Sequence, residues 1–77
     1  MPDITEIEQR FEAAATLHEQ GRLADAEAHC HAILNDAPSH APSVSLMGIV
    51  LCMTGRADMG VQFIAKACEL APDEVPF

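Results

Sequence analysis

The chain has 77 residues, of which 49% are apolar and 4% aromatic, so it has room for one domain with an aliphatic, alanine-rich core. Its 12 acidic and 4 basic side chains give a formal net charge of −8 at pH 7. Because that charge repels phosphate backbones and anionic lipid, we expect neither nucleic acid nor a membrane as a partner.

Cysteine usage and hydropathy indicate a reducing, cytoplasmic compartment. The three cysteines, Cys30, Cys52 and Cys68, form no C-x-x-C pair, and their odd number indicates no disulfide framework. The acidic N-terminal stretch lacks the basic and apolar regions of a secretory signal. The longest apolar run, residues 44–53, is about half of the ~20 residues that a membrane-spanning helix needs, which predicts a buried helix.

The first half of the chain predicts a helical hairpin. Apolar residues at three- and four-residue steps indicate an amphipathic helix over residues 6–20, which Gly21 ends. Thr5 and Glu8 fit a capping box at its start. The same spacing indicates a second helix over residues 23–35, and the short connection forces the two helices to run antiparallel.

The second half predicts another hairpin. Its first helix is expected to begin in the linker at residues 39–43, with Ser39 or Ser43 as the cap, and to end near residue 54. This helix is apolar on nearly every side, so it requires cover all round. A fourth helix is predicted over residues 57–70.

One glycine inside the third predicted helix points to a close helix contact. Gly48 costs ~1 kcal/mol relative to alanine in a helix, a penalty expected only where another backbone comes very near. Gly60 or its neighbours on the fourth helix are the predicted partner. The sequence therefore predicts that the third helix touches the fourth at Gly48.

The two hairpins repeat with an offset of 34 residues, the difference between Gly21 and Gly55 and between Pro38 and Pro72. A fixed period of this size is typical of repeat architectures. The recurring small, leucine, glycine, alanine and proline positions resemble the tetratricopeptide repeat. They are Ala14, Leu17, Gly21, Ala26, Cys30, Ile33 and Pro38, followed by Gly48, Leu51, Gly55, Gly60, Ile64, Ala67 and Pro72.

The resemblance implies one all-α domain over residues 1–77, a fragment of an α-solenoid with about four helices. Repeat one spans residues 7–40 and repeat two spans residues 41–74, and residues 75–77 are the start of a further repeat or a tail. Aromatic positions of the family are replaced here, by Arg10 and Val44 in the first helices and by Cys30 and Ile64 in the second. These replacements predict a core with fewer large side chains than is usual in the family.

The resemblance also implies a function, because the family binds proteins and peptides in a concave groove formed by the first helix of each repeat. Carried over position by position, the groove residues are Glu8, Phe11, Ala15, His18 and Glu19 in repeat one, and Pro42, Ser45, Ile49, Cys52 and Met53 in repeat two. We expect an apolar or helical peptide with basic flanks as the partner. The alternative is that these residues are ordinary packing or solvent-facing positions.

Two other functions stay open at this point. The fourth helix has no helix predicted to cover it, so Val61, Ile64, Cys68 and Leu70 form a possible edge for self-association. The chain is alternatively the recognition arm of a larger transferase-type enzyme, since similar alanine-rich repeats precede such domains.

The chain itself is expected to be neither an enzyme nor a metal protein. His29, Cys30 and His31 are consecutive, and on a helix adjacent side chains point apart, so these three cannot share one metal ion. Cys52 and Cys68 have no histidine at helical spacing to activate them as nucleophiles. We therefore predict no catalytic residue, no metal and no cofactor.

Overall fold

A computed structural model describes residues 4–70, apart from the side chain of Ile4. They form four α-helices: α1 (Ile4–Glu19), α2 (Leu23–Asp36), α3 (Ala41–Met53) and α4 (Ala57–Leu70). The predicted all-α fold of helical hairpins is confirmed, and the helix ends lie within about two residues of the predicted ones. Pro72 and the predicted start of a further repeat lie outside the described residues.

The two hairpins have the same turn. Gly21 and Gly55 each have a positive φ, +78° and +85°, a backbone conformation that residues with a Cβ rarely adopt. No atom lies close enough to obstruct a Cβ at either position, so the requirement for glycine comes from the backbone alone. The prediction that both glycines end a first helix is confirmed.

The hydrogen bonds of the two turns correspond one to one with the offset of 34 residues. The N–H of Arg22 donates to the carbonyl of Leu17 at 2.9 Å, and the N–H of Arg56 donates to that of Leu51 at 2.8 Å. The turn glycines donate in the same way, to the carbonyls of His18 and Cys52. This pair of bonds is the Schellman motif, which satisfies the last carbonyls of a helix. The repeat seen in the sequence is therefore also a repeat of backbone structure.

Contacts between distant residues fix the directions of the helices. Arg10, in the first half of α1, bonds to Asp36 at the end of α2 at 2.9 Å, so these two helices are antiparallel. Glu27, in the first half of α2, pairs with Arg56, which follows α3, so α2 and α3 are antiparallel as well. The second hairpin therefore packs beside the first in a regular order along the chain.

Helix α3 is the centre of this arrangement because it packs against all three other helices. Nine of its 13 residues are buried: Ala41, Ser43, Val44, Ser45, Leu46, Met47, Gly48, Val50 and Leu51. From the other helices, Ala14, Ala26 and Cys30 complete a core that is mostly aliphatic and includes few large side chains. The prediction that this helix is covered by other helices on nearly every side is confirmed.

The predicted close contact of Gly48 with α4 is confirmed, and it involves Gly60 and Ile64. A Cβ added to Gly48 would lie 2.9 Å from the carbonyl oxygen of Gly60 and 3.1 Å from the backbone nitrogen of Ile64. A Cβ added to Gly60 would lie 2.7 Å from the carbonyl oxygen of Gly48. Both glycines are needed because backbone atoms, which cannot rotate away, occupy the space that a side chain would take.

The predicted helix caps are wrong. Thr5 lies inside α1, which already includes Ile4, so Thr5 cannot be the cap of that helix. The N-cap of α3 is His40 instead of Ser39 or Ser43, and it makes no side-chain capping bond. Pro42 does lie in the first turn of α3, where its missing N–H has no cost.

Replacement of either glycine by alanine should destabilise the fold. In an open helix Gly→Ala stabilises by about 1 kcal/mol, whereas overpacking in a core costs about 1–3 kcal/mol. Because backbone atoms are among those that obstruct a Cβ at each position, we expect Gly48→Ala and Gly60→Ala each to lower the free energy of unfolding, by up to about 2 kcal/mol in urea denaturation. A gain in stability at either position would contradict the contact.

The ion pair between Glu27 and Arg56, which joins the two hairpins, makes the stability of the fold depend on pH. An Nη1–H of Arg56 donates to Oε2 of Glu27 at 3.0 Å, and Nη2 contacts the other carboxylate oxygen. The hydrogen bond from Arg56 lowers the pKa of Glu27, although partial burial opposes it. The folded carboxyl thus binds its proton less tightly than the unfolded one.

This pair should therefore stabilise the fold above the pKa of an unfolded glutamate, about 4.3, and cease to do so as the pH falls through the lower pKa of folded Glu27. We expect Glu27→Gln to be less stable than the wild type at pH 7 and to approach it in stability at about pH 3. Glu12→Gln, at an exposed residue of α1 with no ion pair among residues 4–70, is the matched control for denaturation at both pH values. A difference from the wild type that stays constant with pH would contradict the assignment.

Candidate functional site

Helix α3 has a single stripe that is not buried, and this stripe is apolar. Its members are the four α3 residues outside the core: Pro42, Ile49, Cys52 and Met53. Ile49 is half-buried, and Met53 is 57% exposed. An unbranched, polarisable methionine adapts easily to the shape of a bound apolar group. The stripe belongs to the predicted groove.

Helix α1 lies alongside this stripe and runs in the same direction. Near its middle, Phe11 contacts His40 at the start of α3, with the ring centroids 5.7 Å apart in an edge-to-face arrangement. Near its end, Nε2 of His18 lies 3.3 Å from Sδ of Met53, at the end of α3. Two predicted groove residues, His18 and Met53, are therefore in direct contact.

We call the surface formed by these two helices the α1–α3 face. It consists of three half-buried residues of α1 and two residues of the α3 stripe: Phe11, Ala15, His18, Ile49 and Met53. Cys52, also predicted for the groove, is exposed, but its Sγ lies toward α4, where it would obstruct a Cβ at Gly60. Phe11 and Ala15 also pack against the core, which holds this side of the face in place. The face combines apolar area with one histidine.

Ser45 differs from the prediction, which placed it in the groove. It is only 6% exposed, because α3 is covered on this side over its first turns. Position-by-position transfer from the family pattern could not show this, since it gives the side of a helix and not the depth of packing. Ser45 therefore adds little surface to the α1–α3 face.

Carboxylates surround this face without a basic residue to balance them. Glu8 and Glu19, both predicted groove residues, are exposed, as is Glu12. The three arginines of the described residues are engaged elsewhere: Arg10 pairs with Asp36, Arg22 with Asp25 and Arg56 with Glu27. The local charge is therefore negative, which favours a basic neighbour.

The predicted edge on α4, which we call the α4 edge, consists of Val61, Ile64, Cys68 and Leu70. Val61 is 60% exposed and Leu70 is 39% exposed, while Ile64 is half-buried where it meets Gly48. The residue equivalent to Ile64 in the first hairpin is Cys30, which is fully buried in the core that includes α3. Within residues 4–70, no helix covers α4 in the corresponding way.

The cysteines and histidines form no reactive cluster in the described part of the chain. Burial, together with the charge of Glu27, raises the pKa of the Cys30 thiol to about 11, which disfavours the nucleophilic thiolate. His29, through Nδ1, bonds to the carbonyl of Asp25 at 2.9 Å, whereas His31 is exposed. No three His, Cys, Asp or Glu residues between positions 4 and 70 are placed to hold a metal ion.

Sequence reasoning missed the role of His40. Its ring contacts Phe11, and its Nδ1 lies 2.6 Å from Oγ of Ser43, a fully buried hydroxyl. These contacts join the linker before α3 to α1. A histidine directly before a Pro-containing helix start was the available signal, but it does not indicate which residue on α1 it meets.

Comparisons of the chain with protein families, with curated proteins and with solved structures find no match. None of the helices within residues 4–70 has both the length and the apolarity needed to cross a bilayer.

Proposed function

We propose that this chain is a protein-interaction module of the tetratricopeptide type, which binds an apolar, helical peptide on the α1–α3 face. The kinship is supported by the offset of 34 residues, which recurs in the two Schellman turns. The binding site is supported above all by one observation: the only stripe of α3 that is not buried consists entirely of apolar residues.

The chemistry of the face selects the kind of peptide. Ile49 and Met53 offer apolar contact, and burial of a side chain of this size is worth about 1.5–3 kcal/mol. Glu8 and Glu19, at its margins, favour lysine or arginine beside the apolar residues of the peptide. An amphipathic helix with a leucine-rich face and basic flanks meets both requirements.

A matched pair of methionine variants tests this proposal. The probe is a labelled synthetic helix with a leucine face and lysine flanks, followed by fluorescence anisotropy. Met53→Gln should weaken its binding roughly tenfold, because a buried apolar contact is lost. Met59→Gln is the control, since Met59 is 50% exposed but lies on α4, away from the face.

The same probe with glutamate flanks should bind more weakly than the lysine-flanked peptide, and the difference should shrink at high salt. Equal effects of the two methionine variants would contradict binding on the α1–α3 face. A preference for glutamate flanks would contradict the proposed basic partner.

A second candidate function is self-association through the α4 edge. It is favoured by the exposure of Val61 and Leu70 on a helix that carries no covering helix among residues 4–70. Light-scattering mass at several concentrations tests it: the mass should rise with concentration, and a mass of one chain throughout would contradict it.

A further inference from the structure

A crevice lies on the side of α3 opposite the α1–α3 face. Helices α2 and α4 both pack on α3 but not on each other, which leaves a cavity of about 250 Å³ between them. Val44 and Met47 of α3 line its base, and Leu34 and Phe63 line its sides. We call it the α2–α4 crevice. Its interior is apolar.

The rim of the crevice carries a lysine that forms no ion pair within residues 4–70. Lys66 and His31 both lie at this rim. Within residues 4–70, each of the three arginines forms an ion pair with a carboxylate, while Lys66 forms none. An unpaired ammonium group beside an apolar cavity is complementary to an anion that has an apolar body.

We propose that the α2–α4 crevice binds a small free carboxylate with an apolar chain, in which the chain lies between Leu34 and Phe63 and the carboxylate pairs with Lys66. The crevice has room for a small ligand. Its volume of about 250 Å³ is several times the ~30 Å³ that one liquid water occupies, so a ligand of about ten non-hydrogen atoms can enter it.

The charge of the protein makes this site depend on one residue. The chain carries a net charge of −8, so an anion is repelled at long range and gains attraction only next to a positive group. Removal of the Lys66 charge should therefore abolish most of the binding of a carboxylate. It should have little effect on a neutral ligand of the same shape.

Octanoate and octanamide, which have the same chain and differ in charge, are the probes. With the full 77-residue chain, octanoate should bind with a Kd of roughly 0.1–1 mM, the range expected for ten atoms of moderate efficiency. Octanamide should bind at least fivefold more weakly. NMR titration should shift the methyl signals of Leu34, Val44 and Met47.

Variants separate the site from a general charge effect. Lys66→Gln should raise the Kd for octanoate at least fivefold, whereas Lys66→Arg should keep the Kd within twofold of the wild-type value. Arg22→Gln is the control with the same loss of charge, because Arg22 precedes α2 and lies about 18 Å along that helix from Leu34. It should leave the Kd unchanged.

Four results would overturn the proposal: no shifts up to 10 mM octanoate, equal binding of octanamide, an unchanged Kd in Lys66→Gln, or shifts confined to Ile49 and Met53. The last result would move the ligand to the opposite side of α3.

Discussion

The fold depends on a helix that cannot face water on most of its surface. Nine of the 13 residues of α3 are buried, and the other three helices supply the cover. On one side, cover requires α4 to come so close that Gly48 and Gly60 have no room for side chains. The loss of helix propensity at two glycines is offset by the apolar area that this close approach buries.

The two proposed binding surfaces lie where the other helices do not fully cover α3. On one side, α1 lies beside α3 and leaves the apolar stripe that ends in Met53. On the opposite side, α2 and α4 stand apart and leave the crevice above Val44 and Met47. Both proposed sites are thus places where α3 is incompletely enclosed. The two differ in charge: carboxylates surround the first, and Lys66 borders the second.

Local signals in the sequence predicted most of the fold. Apolar periodicity indicated α1 and α2, and a long apolar run indicated α3. The recurrence of Gly21 at Gly55 indicated equal turns, and the cost of Gly48 inside a helix indicated a close contact with α4. The cap predicted at Thr5 failed because α1 already includes Ile4, and the serine caps failed because α3 begins directly after His40. The depth of Ser45 and the pairing of Glu27 with Arg56 were not predictable, since they depend on how helices distant in sequence approach one another. The α2–α4 crevice was not predictable either, because residue patterns do not indicate the distance between two helices that are not adjacent in the fold.

The contact of α3 with α4 is the most direct point at which to test this account. In a nuclear Overhauser spectrum of the wild-type chain, the α protons of Gly48 should give cross peaks to those of Gly60 and to the side chain of Ile64. Such peaks require protons within about 5 Å, a distance that only direct backbone contact between the helices allows here. If the amides of α3 and α4 are protected from exchange but these cross peaks are absent, the helices are formed without the contact, and the account is contradicted.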